Sequence, residues 1–134
     1  STWHQVMTTN LHANWHLLRA VEPLLVNAGA ARLMFVTSGI TTHPTPYWGA
    51  YGVSKAALEM MVKTYAAEVK PTAFKVNLVN PGTTRTAMRA QAMPGEDPLT
   101  LPSPEDITDV FVHLAEGDCP WHGEILSARD LKAC

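Results

Sequence analysis

A tyrosine and a lysine four residues apart, Tyr51 and Lys55, are the pair in this sequence best suited to acid–base chemistry. The pattern from Ser54 to Val69 predicts a long helix after the tyrosine, and four residues make about one helical turn, so both side chains are expected on one helix face. An ammonium beside a phenol favours the phenolate, and a helix start adds a smaller effect in the same direction. Such a phenol can exchange protons with a substrate oxygen. The pair therefore indicates an oxidoreductase that acts on an alcohol or a carbonyl.

The spacing of further residues strengthens this interpretation. Ser38 stands thirteen residues before Tyr51 and Pro81 thirty residues after it. Each follows a short apolar run that predicts a buried strand, one at residues 33–37 and one at residues 74–79. A tyrosine and a lysine at this spacing are often only a packing tyrosine beside a surface lysine, so the pair alone is a weak signal. Its combination with Ser38 and the Pro-Gly pair is specific.

The elements that must position these residues alternate between helix and strand. Apolar residues recur at helical spacing from Trp3 to Leu25, and Pro23 should distort or end that helix. The helix from Ser54 to Val69 is apolar over most of its circumference, which suggests burial by a sheet and by a partner subunit. A third helix is predicted from Ser103 to about Ala115, and a last strand from Gly123 to Ala128. This order predicts an α/β fold in which helices cover a parallel sheet of about three strands.

Three strands are few for a doubly wound sheet, which contains two mononucleotide-binding halves. The sequence has neither Gly-x-x-x-Gly-x-Gly nor Gly-x-Gly-x-x-Gly, the phosphate-binding turns of a first half. We therefore predict that residues 1–134 are the second, catalytic half of a Rossmann-type domain whose glycine-rich N-terminal half is absent. On this interpretation the chain is a fragment, or the ordered part, of a protein roughly twice as long.

Composition excludes several classes of protein. The 134 residues are 46% hydrophobic with a net charge of −2, which is typical of a globular domain and gives no reason to expect nucleic acid or membrane as a partner. Cys119 and Cys134 form no disulfide framework, so a reducing, cytoplasmic compartment is expected. His12 and His16 lie one turn apart without an evident third ligand, and no metal site is predicted.

These motifs make the chain resemble the short-chain dehydrogenase/reductase family, over residues 3–128 and in the C-terminal half of a compact single-domain member. The resemblance rests on four segments of this sequence: Thr9-Asn10-Leu11, Val36-Thr37-Ser38-Gly39, Trp48 to Ala57 and Asn80 to Thr86. It implies hydride transfer with NAD or NADP as cofactor and a small carbonyl or alcohol as substrate. It also implies a homodimer or homotetramer built through the two long helices.

The resemblance implies a role for each matching residue. Tyr51 would be the general acid or base, and Lys55 would promote its ionisation and bind the nicotinamide ribose. Ser38 would bind the substrate oxygen, and Asn10 would position a water that links Lys55 to solvent. The backbone of Pro81-Gly82, together with Thr86, would contact the nicotinamide carboxamide. Thr83 or Thr84 could share that contact, or could simply be polar loop residues.

Two other functions remain open. The chain could be a non-catalytic remnant that associates through its long helices. Alternatively, Tyr51 and Lys55 could serve the larger sugar-nucleotide epimerase or dehydratase branch, although little chain follows Pro81 to form that branch's substrate domain. Within residues 85–102, the methionines and Leu99 are expected either to line a substrate pocket under a mobile flap or to pack. His43 could line the same pocket or lie on a loop surface.

Overall fold

Three parallel strands in the order β1-β2-β3 form the sheet of the computed structural model, which describes residues 1–69 and 74–129. The strands are β1 (Arg32–Val36), β2 (Lys75–Asn80) and β3 (Ile125–Ser127). The helices are α1 (Thr2–Met7), α2 (Ala13–Asn27), α3 (Gly49–Glu68), α4 (Ala87–Ala92) and α5 (Asp109–Ala115). The predicted α/β class and parallel sheet are confirmed.

Helices cover both faces of the sheet because its strands are apolar on both sides. One face packs against α2 and α3, and its core contains Phe35, Leu58, Val62, Val76 and Leu78. The other face packs against α5, and its core contains Val79, Val110, Leu114, Cys119 and Ala128. In β2, Val76 and Leu78 belong to the first core and Val79 to the second, as the alternation of side chains along a strand requires. The sheet is thus a covered layer with its strand ends free to carry a site.

The first predicted helix is longer and less regular than expected. A π-helical turn, Thr8–His12, joins α1 to α2, and the helix continues to Asn27 beyond Pro23. Of the two outcomes expected for Pro23, distortion or termination, termination does not occur, because the helix continues to Asn27. Pro23 is solvent-exposed, so the carbonyl that loses its helical donor can be hydrated.

Other boundaries differ by a few residues. Helix α3 begins at Gly49 rather than Ser54, so Tyr51 itself lies in the first helical turn. The third predicted helix opens with a 3-10 turn, Glu105–Ile107, before α5. Helix α4 was not predicted. Strand β3 is three residues long, shorter than the predicted Gly123 to Ala128.

Candidate active site

The carboxyl ends of β1 and β2 meet the first turn of α3 at one edge of the sheet. Ser38 follows β1 and Pro81 follows β2 directly. The two strand ends are close, since a Cβ added at Gly39 would lie 3.5 Å from Asn80 Nδ2. The turn after Ser38 also packs on α3, because a Cβ added at Gly52 would lie 3.5 Å from Ile40 Cγ1. Ligands of parallel α/β sheets bind at this edge.

Tyr51 and Lys55 lie on one face of α3, as the spacing predicts. Lys55 Nζ is 5.8 Å from the centroid of the Tyr51 ring and donates a hydrogen bond to the Val36 carbonyl at 3.0 Å. Burial lowers the pKa of Lys55 below its usual value of 10.5, because desolvation penalises the charged form. The Trp48 ring packs edge-on against Tyr51 at 5.7 Å between centroids. The Tyr51 ring therefore has an indole and a cation as neighbours.

Ser38 is the N-cap of a 3-10 turn, Gly39–Thr41. Its backbone is extended, and its Oγ accepts a hydrogen bond from the Ile40 amide at 3.3 Å. This bond uses one lone pair, and the hydroxyl proton is left to donate elsewhere. The side chain is partly exposed, so a substrate oxygen could reach it.

Asn10 lies in the π-helical turn and reaches α3 through a serine. Asn10 Nδ2 donates to Ser54 Oγ at 3.1 Å, and Ser54 Oγ donates to the Tyr51 carbonyl at 2.7 Å. The Asn10 carbonyl in turn accepts from Asn14 Nδ2 at 2.8 Å. Ser54 is fully buried and directly precedes Lys55. Sequence analysis assigned no role to Ser54, although its position between Tyr51 and Lys55 could have drawn attention to it.

The predicted cofactor-contacting residues form the turn after β2. Asn80 Oδ1 accepts from the Gly82 amide at 3.0 Å. Gly82 has φ +71°, a left-handed conformation that favours glycine. The hydroxyls of Thr83 and Thr84 are engaged in hydrogen bonds, Thr83 as acceptor from Arg129 Nη2 at 2.9 Å and Thr84 as donor to the Gly82 carbonyl at 3.5 Å.

Thr86 lies farther along, as the N-cap of α4. Its hydroxyl accepts from the Arg89 amide at 3.1 Å. The capping bond occupies one lone pair, and the hydroxyl proton can still be donated to a ligand. Thr86 is therefore placed by a helix start, whereas Pro81 to Thr84 are placed by the strand end.

A backbone hydrogen bond joins the two ends of the segment 85–102, and an ion pair lies within it. The Arg85 amide donates to the Pro102 carbonyl at 2.8 Å. Arg89 makes a two-bond contact with Glu96, at 2.6 and 2.9 Å, which raises the pKa of Arg89 and lowers that of Glu96. Met88, Met93 and Leu99 are exposed. These three side chains do not form a packed core, so the packing alternative is not supported.

The histidines weighed in the sequence lie on the surface. His12 and His16 are exposed on the first helix. His43 is exposed in its loop, with Nδ1 2.9 Å from Thr42 Oγ1. Across residues 1–69 and 74–129, no group of three or more His, Cys, Asp or Glu side chains is placed to hold a metal ion. Of the two cysteines, Cys119 is buried and Cys134 lies outside the described residues.

The fold and this edge define a Rossmann-type α/β protein with a tyrosine–lysine pair at the carboxyl ends of its strands. Residues 1–97 match the family described as short chain dehydrogenase. The chain belongs to that family.

Three known proteins illustrate the relationship. The uncharacterised oxidoreductase YciK of Escherichia coli K12 is 41% identical over 116 residues, which are 87% of this chain and 46% of YciK. A short chain dehydrogenase structure from Salmonella enterica serovar Typhi has a TM-score of 0.90 at 38% identity, over 95% of this chain and 53% of that one. A protein from E. coli CFT073, assigned to the short chain dehydrogenases and complexed with NADPH, has a TM-score of 0.89 at 38% identity, with coverages of 95% and 53%. The chain thus spans about half the length of these relatives.

Among the residues that the structure describes, no helix is both long and apolar enough to cross a membrane.

Proposed function

We propose that this chain is the catalytic half of an NAD- or NADP-dependent oxidoreductase that interconverts an alcohol and a carbonyl. The observation that supports this most directly is the position of the Lys55 ammonium, 5.8 Å from the centroid of the Tyr51 ring. Both residues lie near the carboxyl ends of the strands, where Ser38 and Pro81 also lie. Membership of the short chain dehydrogenase family gives this arrangement a reaction class.

In the proposed reaction, Tyr51 donates a proton to the substrate oxygen during reduction and removes it during oxidation. Ser38 donates a hydrogen bond to the same oxygen and holds it near the phenol. Lys55 stabilises the phenolate electrostatically. Asn10 acts through Ser54, which holds the first turn of α3 and so the backbone of Tyr51. Positioning of a water between Lys55 and solvent remains a proposal for Asn10.

The residues present suit a nicotinamide cofactor. The Lys55 ammonium has three donors, and the bond to Val36 uses one, which leaves two for ribose hydroxyls. The turn from Pro81 to Thr84, together with Thr86, offers backbone and hydroxyl groups for the carboxamide. When bound, the nicotinamide supplies or accepts the hydride. The E. coli CFT073 relative is complexed with NADPH, which supports this cofactor class, and the choice between NAD and NADP rests on the other half of the domain.

We also propose that activity requires an N-terminal half that is absent from these 134 residues. Two halves make a dinucleotide-binding domain, and the relatives are about twice as long as the matched region. Mass spectrometry of active material would test this. A 14.6 kDa species with reductase activity would contradict the proposal. A cytoplasmic location stays a prediction.

The experiment for the proposed function is Tyr51→Phe in the longest natural chain that contains these residues. We expect turnover with a panel of carbonyl compounds, followed by nicotinamide absorbance, to be lost, because phenylalanine keeps the ring contact with Trp48 but has no proton to give. Cofactor affinity should be retained. Tyr47→Phe is the matched control, since Tyr47 is fully exposed in the preceding loop. Turnover that survives Tyr51→Phe would refute the assigned role.

One observation favours the alternative of an association module. Trp15, Met60, Met61 and Tyr65 line an apolar groove between α2 and α3, and Met60 is 67% exposed. Association of two copies through this face is compatible with catalysis. Sedimentation of Met60→Lys beside Val112→Lys, a control on α5 at 60% exposure, would show whether this face forms the dimer or tetramer.

A further inference from the structure

Glu59 lies one turn beyond Lys55 on α3 and makes contacts that the proposed reaction does not yet use. Its Oε1 accepts a hydrogen bond from Thr37 Oγ1 at 2.6 Å and lies 3.0 Å from Thr41 Oγ1, whose single proton is shared between this carboxylate and the Ser38 carbonyl at 3.1 Å. Thr37 immediately precedes Ser38, and Thr41 ends the 3-10 turn that Ser38 caps. One carboxylate oxygen therefore holds the chain on both sides of the serine.

The Thr37 contact is the more restrictive of the two. Thr37 is 2% exposed, and its amide donates to the Val79 carbonyl at 2.8 Å. The end of β1 is thus tied to β2 through its backbone and to α3 through its side chain. Hydrogen bonds to a charged acceptor are stronger than neutral ones, particularly where water is excluded. The Thr37 contact therefore fixes the position of α3 relative to the end of β1.

Lys55 provides a second tie of the same helix to the same strand end. Its Nζ bonds the Val36 carbonyl, one residue before Thr37. Successive turns of α3 therefore carry Tyr51, Lys55 and Glu59. Of these, Lys55 and Glu59 bond the two residues that precede Ser38. Because Tyr51 moves with α3 and Ser38 moves with β1, these ties set the separation of the two hydroxyls.

We propose that Glu59 is a positioning residue that holds Ser38 in register with Tyr51. This inference rests on the proposed function, because it supposes that Ser38 and Tyr51 bind one substrate oxygen. Both of its hydrogen bonds go to threonines on either side of Ser38, and neither goes to Ser38 or Tyr51. Its effect on turnover must pass through Ser38.

The first arm of the experiment measures positioning without activity. Hydrogen exchange of the Ile40, Thr41 and Thr42 amides would be compared in wild type, Glu59→Ala and Glu59→Gln. We expect exchange of the turn to accelerate about tenfold in Glu59→Ala, since this local opening loses its side-chain ties. Glu59→Gln should restore protection, because the amide oxygen can accept both bonds. Glu68→Ala, an exposed carboxylate on the same helix, should change nothing here. Unchanged exchange in Glu59→Ala would overturn the proposal.

The second arm measures catalysis in the longest natural chain. We expect Glu59→Ala to lower kcat by about ten- to a hundredfold, the range for small misplacements of reacting groups, with cofactor Kd unchanged. Glu59→Gln should recover most of that loss. In a Ser38→Ala background, Glu59→Ala should have no further effect on kcat, and an additive effect would overturn the proposal. Thr37→Val repeats the cycle if Glu59→Ala folds poorly. Should wild type show no turnover, the proposed function fails and the exchange arm alone decides the role of Glu59.

Discussion

The Lys55 side chain faces two partners, the Val36 carbonyl and the Tyr51 ring. Its partial burial lowers its pKa, so the folded chain loses this proton at a lower pH than an exposed lysine would. The electrostatic help that Lys55 gives to a phenolate ends once that proton is lost. We therefore expect activity to fall at a lower alkaline pH than it would if Lys55 were fully solvated.

The same shift predicts a pH dependence of stability. Below both pKa values the folded and unfolded states hold the Lys55 proton equally. Between the lowered folded value and the unfolded value near 10.5, the unfolded state binds more protons, so the free energy of unfolding gains from this residue as pH rises. Denaturant unfolding at a series of alkaline pH values should show this gain in wild type and not in Lys55→Met. Lys63→Met, an exposed position on α3, is the control. Parallel profiles for wild type and Lys55→Met would contradict the prediction.

Residues whose partners are close in sequence could be predicted. Tyr51 and Lys55 share a helix face because of helical geometry alone, and Ser38 and Pro81 are marked by the strands that they follow. Glu59 could not be predicted in this way. Its partners, Thr37 and Thr41, lie about twenty residues away. They come together only because α3 packs against the end of β1 in the folded chain.

At the scale of elements, the first helix shows what periodicity does not reveal. Apolar spacing predicts the helix, but not the π-helical turn at Thr8–His12. The turn contains Asn10, and Asn14 bonds its carbonyl. Such turns occur often at functional sites. Here the π-helical turn lies where Asn10 contacts α3, so the turn helps to position Asn10 beside Ser54.

The start of β3 is held by side chains as well as by backbone bonds, in which the Gly123 amide donates to the Val76 carbonyl at 2.7 Å and the Leu78 amide to the Glu124 carbonyl at 2.8 Å. His122 Nδ1 accepts from the Val76 amide at 3.3 Å, and its Nε2 lies 2.7 Å from the Ala66 carbonyl. Asn77, which is 2% exposed, bonds the Trp121 carbonyl and the Glu124 amide. Since Nδ1 accepts, Nε2 carries the proton and donates to Ala66. His122 thus joins the end of α3 to the central strand.

We expect His122→Ala to lower the free energy of unfolding by about 1–3 kcal/mol, because it leaves the Val76 amide and the Ala66 carbonyl without these partners. Urea unfolding at neutral pH would measure the change. His113→Ala is the matched control, since His113 pairs with Glu116 at the surface, at 3.3 Å, and such pairs contribute about 0–1 kcal/mol. Equal effects of the two substitutions would show that His122 does not tie α3 to β2.

At the scale of the whole molecule, strand β1 has a partner on one side only within the described residues. The Thr37 amide and the Ala31 carbonyl point toward β2, and backbone groups alternate in direction along a strand. The amides of Met34 and Val36 therefore face the open edge of the sheet. Val36 is 45% exposed, and its outward carbonyl is the one that Lys55 bonds. Such an edge presents unpaired amides and carbonyls to which another strand can pair.

This edge gives the half-domain proposal a residue-level test. If a missing first half supplies the next strand, the Met34 and Val36 amides should exchange rapidly in the 134-residue chain and at least about tenfold more slowly in a longer natural chain, because ladder hydrogen bonds protect amides. The Phe35 amide, which faces β2 by the same alternation, is the internal control and should be protected in both. Slow exchange of Met34 in the short chain, or no difference between the two chains, would show that no strand of a missing half covers β1 and would leave the second-half proposal without support. The sequence could suggest a missing half from the absent glycine-rich turn, but only the register of β1 on β2 identifies which amides it should cover.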